Sequence, residues 1–245
     1  MFTALIARTR QASAATRALA APSTCAICRA WPSRVICSAC IARFAPAEAR
    51  CRRCAIALVG ATATECGRCV TAPPPLDRCI AAVGWRWPWS ELIASYKFGR
   101  EPGWASALAA LLLATDAVPA LIAEADLLLP VPLAPERLRE RGFNQALQVA
   151  RRLAPTKFDP LLLQRIRLAP PQASLARSAR LTNVRGAFAL DAARCDAVRG
   201  RSVLLVDDVM TTGSTLFEAA RVLREAGAAR VTALVLARAD DPRSA

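Results

Sequence analysis

Residues 203–215 of this 245-residue chain read VLLVDDVMTTGST: a short apolar run, two adjacent carboxylates, and a hydroxyl-rich turn that leads into the helical pattern LFEAARVLREAG. An uninterrupted apolar run of this length is the pattern of a central parallel strand buried on both faces. Such a strand delivers Asp207 and Asp208 to its carboxyl end, the rim at which open α/β sheets bind ligands. Beyond them, backbone amides and the hydroxyls of Thr211, Thr212, Ser214 and Thr215 can converge on one anion at a helix N-terminus. Gly213 lets the main chain come close. A phosphate beside two carboxylates calls for a ligand that carries an anion together with hydroxyls or a magnesium ion. A phosphorylated ribose is such a ligand. The strand ending in DD also resembles a Walker B segment, but the chain contains no GxxxxGKS or GxxxxGKT loop, which removes the usual nucleoside triphosphatase partner.

Eight of the ten cysteines form four pairs with two residues between members: Cys25/Cys28, Cys37/Cys40, Cys51/Cys54 and Cys66/Cys69. Each spacing brings two thiolates to one side of a tight turn, and two such turns close a tetrahedron around zinc. Four turns imply two structural zinc sites. With no histidine in the chain, every ligand must be sulfur if both are filled. Disulfides are the alternative, but the paired spacing and the lack of a secretory signal favour metal. Which pairs share a metal is open at this stage. Arg29, Ala55 and Val70 stand where a glycine often follows such a turn, so the shape of each turn is open too. Cys79 and Cys195 stand alone and read as buried apolar residues.

The formal charge of +14 is concentrated toward the N-terminus, where residues 1–75 hold ten arginines against Glu48 and Glu65. A module this basic is what a phosphate backbone attracts, so single-stranded DNA is an expected partner; a solvated basic face is the alternative. Residues 1–22 read as a poorly ordered leader, 23–70 as the double zinc-ribbon module, and 71–77 as a proline-rich linker with three consecutive prolines. Residues 78–240 hold the remaining domain. No stretch is apolar for long enough to cross a membrane, and Arg17 interrupts the apolar run of the leader, so a cytoplasmic protein is expected.

Along that domain, residues 79–85 read as a strand, PWSELIASYKF as a helix ending near Gly99, and 104–115 and 119–124 as helices. A strand at 126–133, a helix beginning near Asn144 and a strand at 230–238 follow. This alternation gives a doubly wound parallel sheet covered on both faces. The alternation of Trp85, Trp87 and Trp89 reads as one face of a strand leaving the sheet, with a base-stacking platform as the alternative. Three basic segments sit where a pyrophosphate would need them. Arg137, Arg139 and Arg141 precede Gly142, and forked guanidinium groups suit phosphate oxygens. Lys97 lies at a helix end, where it also suits the dipole. Residues 165–188 carry five arginines and no acid, as either a mobile lid or a solvated basic loop.

Taken together, the cysteine pairs, YKFGR, PVPL followed by RLRERGFNQA, the RIRLAPPQASL segment and VDDVMTTGST resemble the ComF family, the competence-type, GntX-like phosphoribosyltransferase-like proteins. The resemblance spans residues 25 to about 238. It implies a type I phosphoribosyltransferase-like fold behind a zinc-ribbon module, a link to DNA uptake or utilisation, and work beside an ATP-driven uptake motor. The ligand it implies is phosphoribosyl pyrophosphate, or a related nucleotide, bound with Mg. Asp207 and Asp208 would then face the ribose hydroxyls, Lys97, Arg137 and Arg141 the leaving pyrophosphate, and residues 211–215 the 5′-phosphate. The chain is then a phosphoribosyltransferase (a glycosyltransferase) whose acceptor the sequence does not name. A non-catalytic single-stranded DNA-binding accessory protein is the second expectation.

Overall fold

A computed structural model describes residues 22–59, 62–166 and 185–239. All but the last residue of the expected leader, and residues 167–184 of the expected lid or loop, lie outside them.

From residue 78 onward the chain builds a four-stranded parallel sheet from β1 (Arg78–Gly84), β2 (Leu127–Pro130), β5 (Ser202–Met210) and β6 (Arg230–Arg238), in the order β1-β6-β5-β2. The apolar pattern explains the two central positions. β6 is buried from Val231 to Arg238, and β5 from Val203 to Val206, as strands covered on both faces must be. Successive side chains of β5 divide between the faces. Val203 and Leu205 join one cluster with α8 (Ser214–Glu225), while Leu204 and Val206 join the other. That second cluster holds α3 (Trp89–Phe98), α4 (Trp104–Leu113), α5 (Val118–Glu124) and α7 (Gln145–Leu153). A short antiparallel pair, β3 (Leu163–Arg165) with β4 (Phe188–Leu190), brackets the segment 167–184. No single described helix is long and apolar enough to cross a membrane.

Four expectations change. A helix, α6 (Pro135–Arg141), occupies the basic segment of Arg137, Arg139 and Arg141, where the sequence marks no element. The tryptophan alternation is not a strand. β1 ends at Gly84, Trp87 lies in a turn, packed edge-on against Phe44 at 5.1 Å, and Trp89 is the fully buried first residue of α3. The strand expected over 126–133 stops at Pro130. Cys195 is only half-buried, whereas Cys79 is buried and its thiol is pushed up to about 12 by loss of solvent.

The cysteine-rich module flanks edge strand β1 and has two units. In each, one pair forms a knuckle and the next pair opens a short helix. Cys37 caps α1 (Ser38–Phe44) and Cys66 caps α2 (Gly67–Thr71). Arg29 and Ala55, the residues after the knuckles, take the left-handed conformation at φ 64° and 54° without being glycine. The units divide between the faces of the sheet. Ile36 joins the helix-rich cluster, and Cys51, Cys54, Ala55 and Cys69 join the cluster under α8. Trp89 Nε1 donates to the Phe44 carbonyl at 2.6 Å, and the Cys79 amide donates to the Arg52 carbonyl at 2.7 Å, so both units are hydrogen-bonded to the sheet domain. Within residues 71–77, Leu76 is buried and the Asp77 amide donates to the Val231 carbonyl at 2.9 Å.

Candidate functional site

β5 runs through both aspartates to Met210, and the chain then turns through residues 211–213 into α8. Gly213 makes that turn at φ +83°, and a Cβ there would lie 2.5 Å from Met210 Cε and 2.6 Å from Phe217 Cζ. Only glycine meets both demands without displacing its neighbours. Thr212 Oγ1 accepts from the Ser214 amide at 3.3 Å and shares a hydrogen bond with Ser214 Oγ at 2.9 Å, which closes the turn on itself. The first-turn amides of α8 have no carbonyl partner within their own helix and carry the positive end of its dipole.

The turn opens into a cavity of about 300 Å³ at the carboxyl end of the sheet. Every ligand residue expected from the sequence lines it: Asp207, Asp208, Lys97, Arg137, Arg141 and all of residues 211–215. The elements bring them together in simple ways. Lys97 comes from the last turn of α3, Arg141 from the last turn of α6, and α6 ends at Gly142 with φ +80°. Asn144 then caps α7, accepting from the Leu147 amide at 3.2 Å and donating to the Val131 carbonyl at 3.0 Å.

The two carboxylates have different surroundings. Asp208 is buried, with Lys97 Nζ 3.0 Å from Oδ1 and Arg141 Nη1 3.8 Å from Oδ2. Asp207 has no ion pair of that kind among the described residues; its Oδ1 accepts from the Asp208 amide at 2.8 Å. Loss of solvent, then the neighbouring charge of Asp208, push the Asp207 carboxyl up to about 7. Lys97 and Arg141 oppose that shift without cancelling it.

Three residues of the site were not singled out as ligands in the sequence, although Arg165 opens the basic segment 165–188 and Trp85 opens the tryptophan alternation. Gln145 is fully buried: it accepts from Arg141 Nη1 at 3.1 Å, and its carbonyl accepts from the Tyr96 hydroxyl at 2.9 Å. It therefore fixes the arginine beside Asp208. Arg165 and Trp85 also line the cavity. Among the described residues, Arg165 Nε and Arg141 Nε are both buried without a hydrogen-bond partner. Folded proteins leave few such donors unmet, and both belong to arginines that line this one cavity, where forked guanidinium groups suit an anion. Desolvation and the charge of Arg137 hold the Arg165 guanidinium below its usual range.

The cysteines settle into two tetrads, Cys25/Cys28/Cys37/Cys40 and Cys51/Cys54/Cys66/Cys69, so neighbouring pairs share a site. The Sγ atoms stand 3.9 Å apart for Cys25–Cys40, 3.7 Å for Cys28–Cys37 and 3.7 Å for Cys54–Cys66. A tetrahedron with zinc–sulfur bonds of about 2.3 Å has edges of about 3.8 Å, so both donor sets fit that metal. Four thiolates leave no open position, as in structural rather than catalytic centres.

Residues 141–245 match the family model of the phosphoribosyl transferase domain. The chain is 35% identical over 234 residues to the "DNA utilization protein YhgH" of Escherichia coli O6:H1, covering 90% of this chain and 99% of that protein. The chain belongs to the ComF family. Its similarity to "Competence protein F" of Haemophilus influenzae is 33% over 185 residues, or 72% of this chain and 80% of that one. To "Competence protein ComFC" of Bacillus subtilis it is 38% over 113 residues, or 45% and 44% of the two chains. The ComF-family chain therefore joins a phosphoribosyltransferase-like parallel sheet to two cysteine tetrads that can hold metal.

Proposed function

We propose that the cavity binds phosphoribosyl pyrophosphate with Mg and transfers its phosphoribosyl group to an acceptor, in a protein that serves competence or DNA utilisation. The observation that carries this reading is that two arginines, each with a buried donor unmet among the described residues, line one cavity with a hydroxyl-lined helix N-terminus and a carboxylate, Asp207, that has no ion pair there. Residues 211–215 hold the 5′-phosphate. Arg137, Arg141 and Arg165 take the pyrophosphate, with forked donors suited to its oxygens. As the bond from the anomeric carbon to pyrophosphate breaks, positive charge builds on the ribose ring. Asp207 faces that charge and accepts from the ribose hydroxyls, a stabilisation that grows toward the transition state. Asp208 holds Lys97 in place at the rim through their ion pair. The hard oxygen donors of Asp207 and the ligand fit Mg, which is usually bound by one or two carboxylates plus substrate phosphates. When bound, the ion would neutralise charge on the leaving pyrophosphate. Zinc at the tetrads has a structural role.

Calorimetric titration of the metal-loaded chain tests the reading. With Mg present, phosphoribosyl pyrophosphate should bind about 100-fold more tightly than inorganic phosphate, because sugar and pyrophosphate contacts add to the loop contact. Equal affinities, or no binding of either, would overturn it.

A second role has its own observation. Arg43 lies over the Phe44 ring at 5.1 Å, Phe44 meets Trp87 at 5.1 Å, and Trp87 and Phe98 remain exposed beside basic residues. Cations interleaved with exposed rings suit single-stranded DNA. Gel shifts with a single-stranded oligonucleotide should show affinity falling steeply with salt and weakening about tenfold on Trp87→Ala. Binding indifferent to both sinks this role and leaves the cavity reading intact.

A further inference from the structure

The last residue of β6, Arg238, is a buried cation whose described partners are all main-chain carbonyls. Its Nε donates to Cys54 at 2.8 Å, and its Nη1 donates to Met210 at 3.2 Å and also to Thr211 and Ala239. One guanidinium thus joins a ligand residue of the second tetrad to the carbonyl that ends β5 and to the first carbonyl of the phosphate turn. Arg68, which lies between Cys66 and Cys69, reaches the next carbonyl, that of Thr212, at 3.4 Å. Three consecutive carbonyls, from the last residue of β5 into the turn, are therefore held by two arginines tied to one tetrad.

Peptide planarity gives this arrangement a consequence. In a trans peptide the amide N–H of the following residue points opposite to the carbonyl. Drawing the carbonyls of Met210, Thr211 and Thr212 toward the arginines aims the amides of Thr211, Thr212 and Gly213 the other way. A concave set of amides is what an anion requires. The electrostatics point the same way. A buried guanidinium without a carboxylate is costly, and a four-thiolate metal centre of net charge −2 beside Cys54 supplies the missing counter-charge.

We propose that Arg238 is a positioning residue for the phosphate turn, clamping it to the second cysteine tetrad so that metal there, and not at the first tetrad, holds the turn in its anion-binding shape. The inference rests on the reading of residues 211–215 as the phosphate site, but its test does not depend on any ligand.

Hydrogen exchange of the backbone amides of residues 210–216 is the primary readout, measured in the full chain together with zinc content. Arg238→Met should accelerate exchange in this stretch at least tenfold while the first tetrad keeps its zinc. Because that variant can fail to fold, Cys66→Ser and Cys28→Ser form a second pair. Loss of the second-site metal through Cys66→Ser should accelerate the same amides, and loss of the first-site metal through Cys28→Ser should leave them unchanged. Equal effects of the two serine variants, or no effect of either, overturn the proposal. Calorimetry with phosphoribosyl pyrophosphate and Mg gives the linked result: Arg238→Lys should weaken binding at least tenfold. If the exchange results hold and the wild type binds no phosphoribosyl pyrophosphate, the functional reading fails and the clamp stands.

Discussion

Removing metal from both tetrads with a strong chelator at neutral pH will unfold the segment from Cys25 to Cys69 while the parallel sheet persists. The reason lies in what that segment buries. Its buried apolar residues, among those described, are Cys25, Ile36, Cys40, Cys51, Cys54, Ala55 and Cys69, and five of these seven belong to the tetrads themselves. Without metal, the segment has almost nothing of its own to pack. Its helices, of seven and five residues, are far below the length at which an isolated helix is stable. Two left-handed non-glycine residues, Arg29 and Ala55, add strain of about 1 kcal/mol or more each. Metal binding on the order of 10 kcal/mol per site outweighs all of this. The sheet keeps its own core of Val203, Leu204, Leu205, Val206 and β6, but its face beneath Cys51, Cys54 and Cys69 becomes exposed. Two zinc ions per chain should be released, exchange protection should vanish across 22–71, and the residual protein should aggregate as concentration rises. Protection that survives metal release in that segment would show that packing, not metal, supports it.

The contrast between what the sequence made legible and what it concealed follows the same physics. β5, β6 and α8 were readable because burial on two faces leaves long apolar runs and because a turn of this chemistry has few other uses. The start of α7 was readable from Asn144, a residue type that caps helices by accepting an amide hydrogen bond. α6 was not readable: of its seven residues only Arg141 is buried, and Leu138 is exposed, so no apolar period marks it. β3 and β4, three residues each, are too short to show a period at all. Trp85, Trp87 and Trp89 imitate a strand by their spacing but do three separate things: one lines the cavity, one packs on Phe44, and one fills the core. The pairing of knuckles into tetrads, and the burial of Gln145 beneath Arg141, are long-range facts with no local signature. The residues that line the cavity could be listed from motifs, but the different surroundings of the two aspartates could not, because they depend on how α3 and α6 converge on β5.

Those surroundings set the second large effect: adjacent carboxylates whose replacement by the amide should move stability in opposite directions. Asp208→Asn leaves the buried Arg141 and the half-buried Lys97 without their closest anion, and breaking a buried pair from one side costs about 3–5 kcal/mol. Asp207→Asn does the reverse. Its carboxyl titrates near 7 in the folded protein against about 3.9 in the unfolded chain, so the native state favours the proton. The stability this contributes is fully present below about pH 4 and is lost as pH rises to about 7; above that, the fold carries a charge it disfavours. Asparagine removes the charge and keeps an oxygen to accept from the Asp208 amide. The variant should therefore match the wild type near pH 4 and exceed it at pH 8 by on the order of 2 kcal/mol in denaturant unfolding. The same substitution should reduce release of pyrophosphate from phosphoribosyl pyrophosphate by about 100-fold or more, since the displaced charge is the one that would face the ribose ring. In the wild type, affinity for that ligand with Mg should climb between about pH 6 and 8 as Asp207 loses its proton. A stability difference that is flat across pH would mean that the raised carboxyl is not Asp207. A variant both more stable at pH 8 and inactive would mark this aspartate as a charge the fold tolerates for its chemistry rather than its structure.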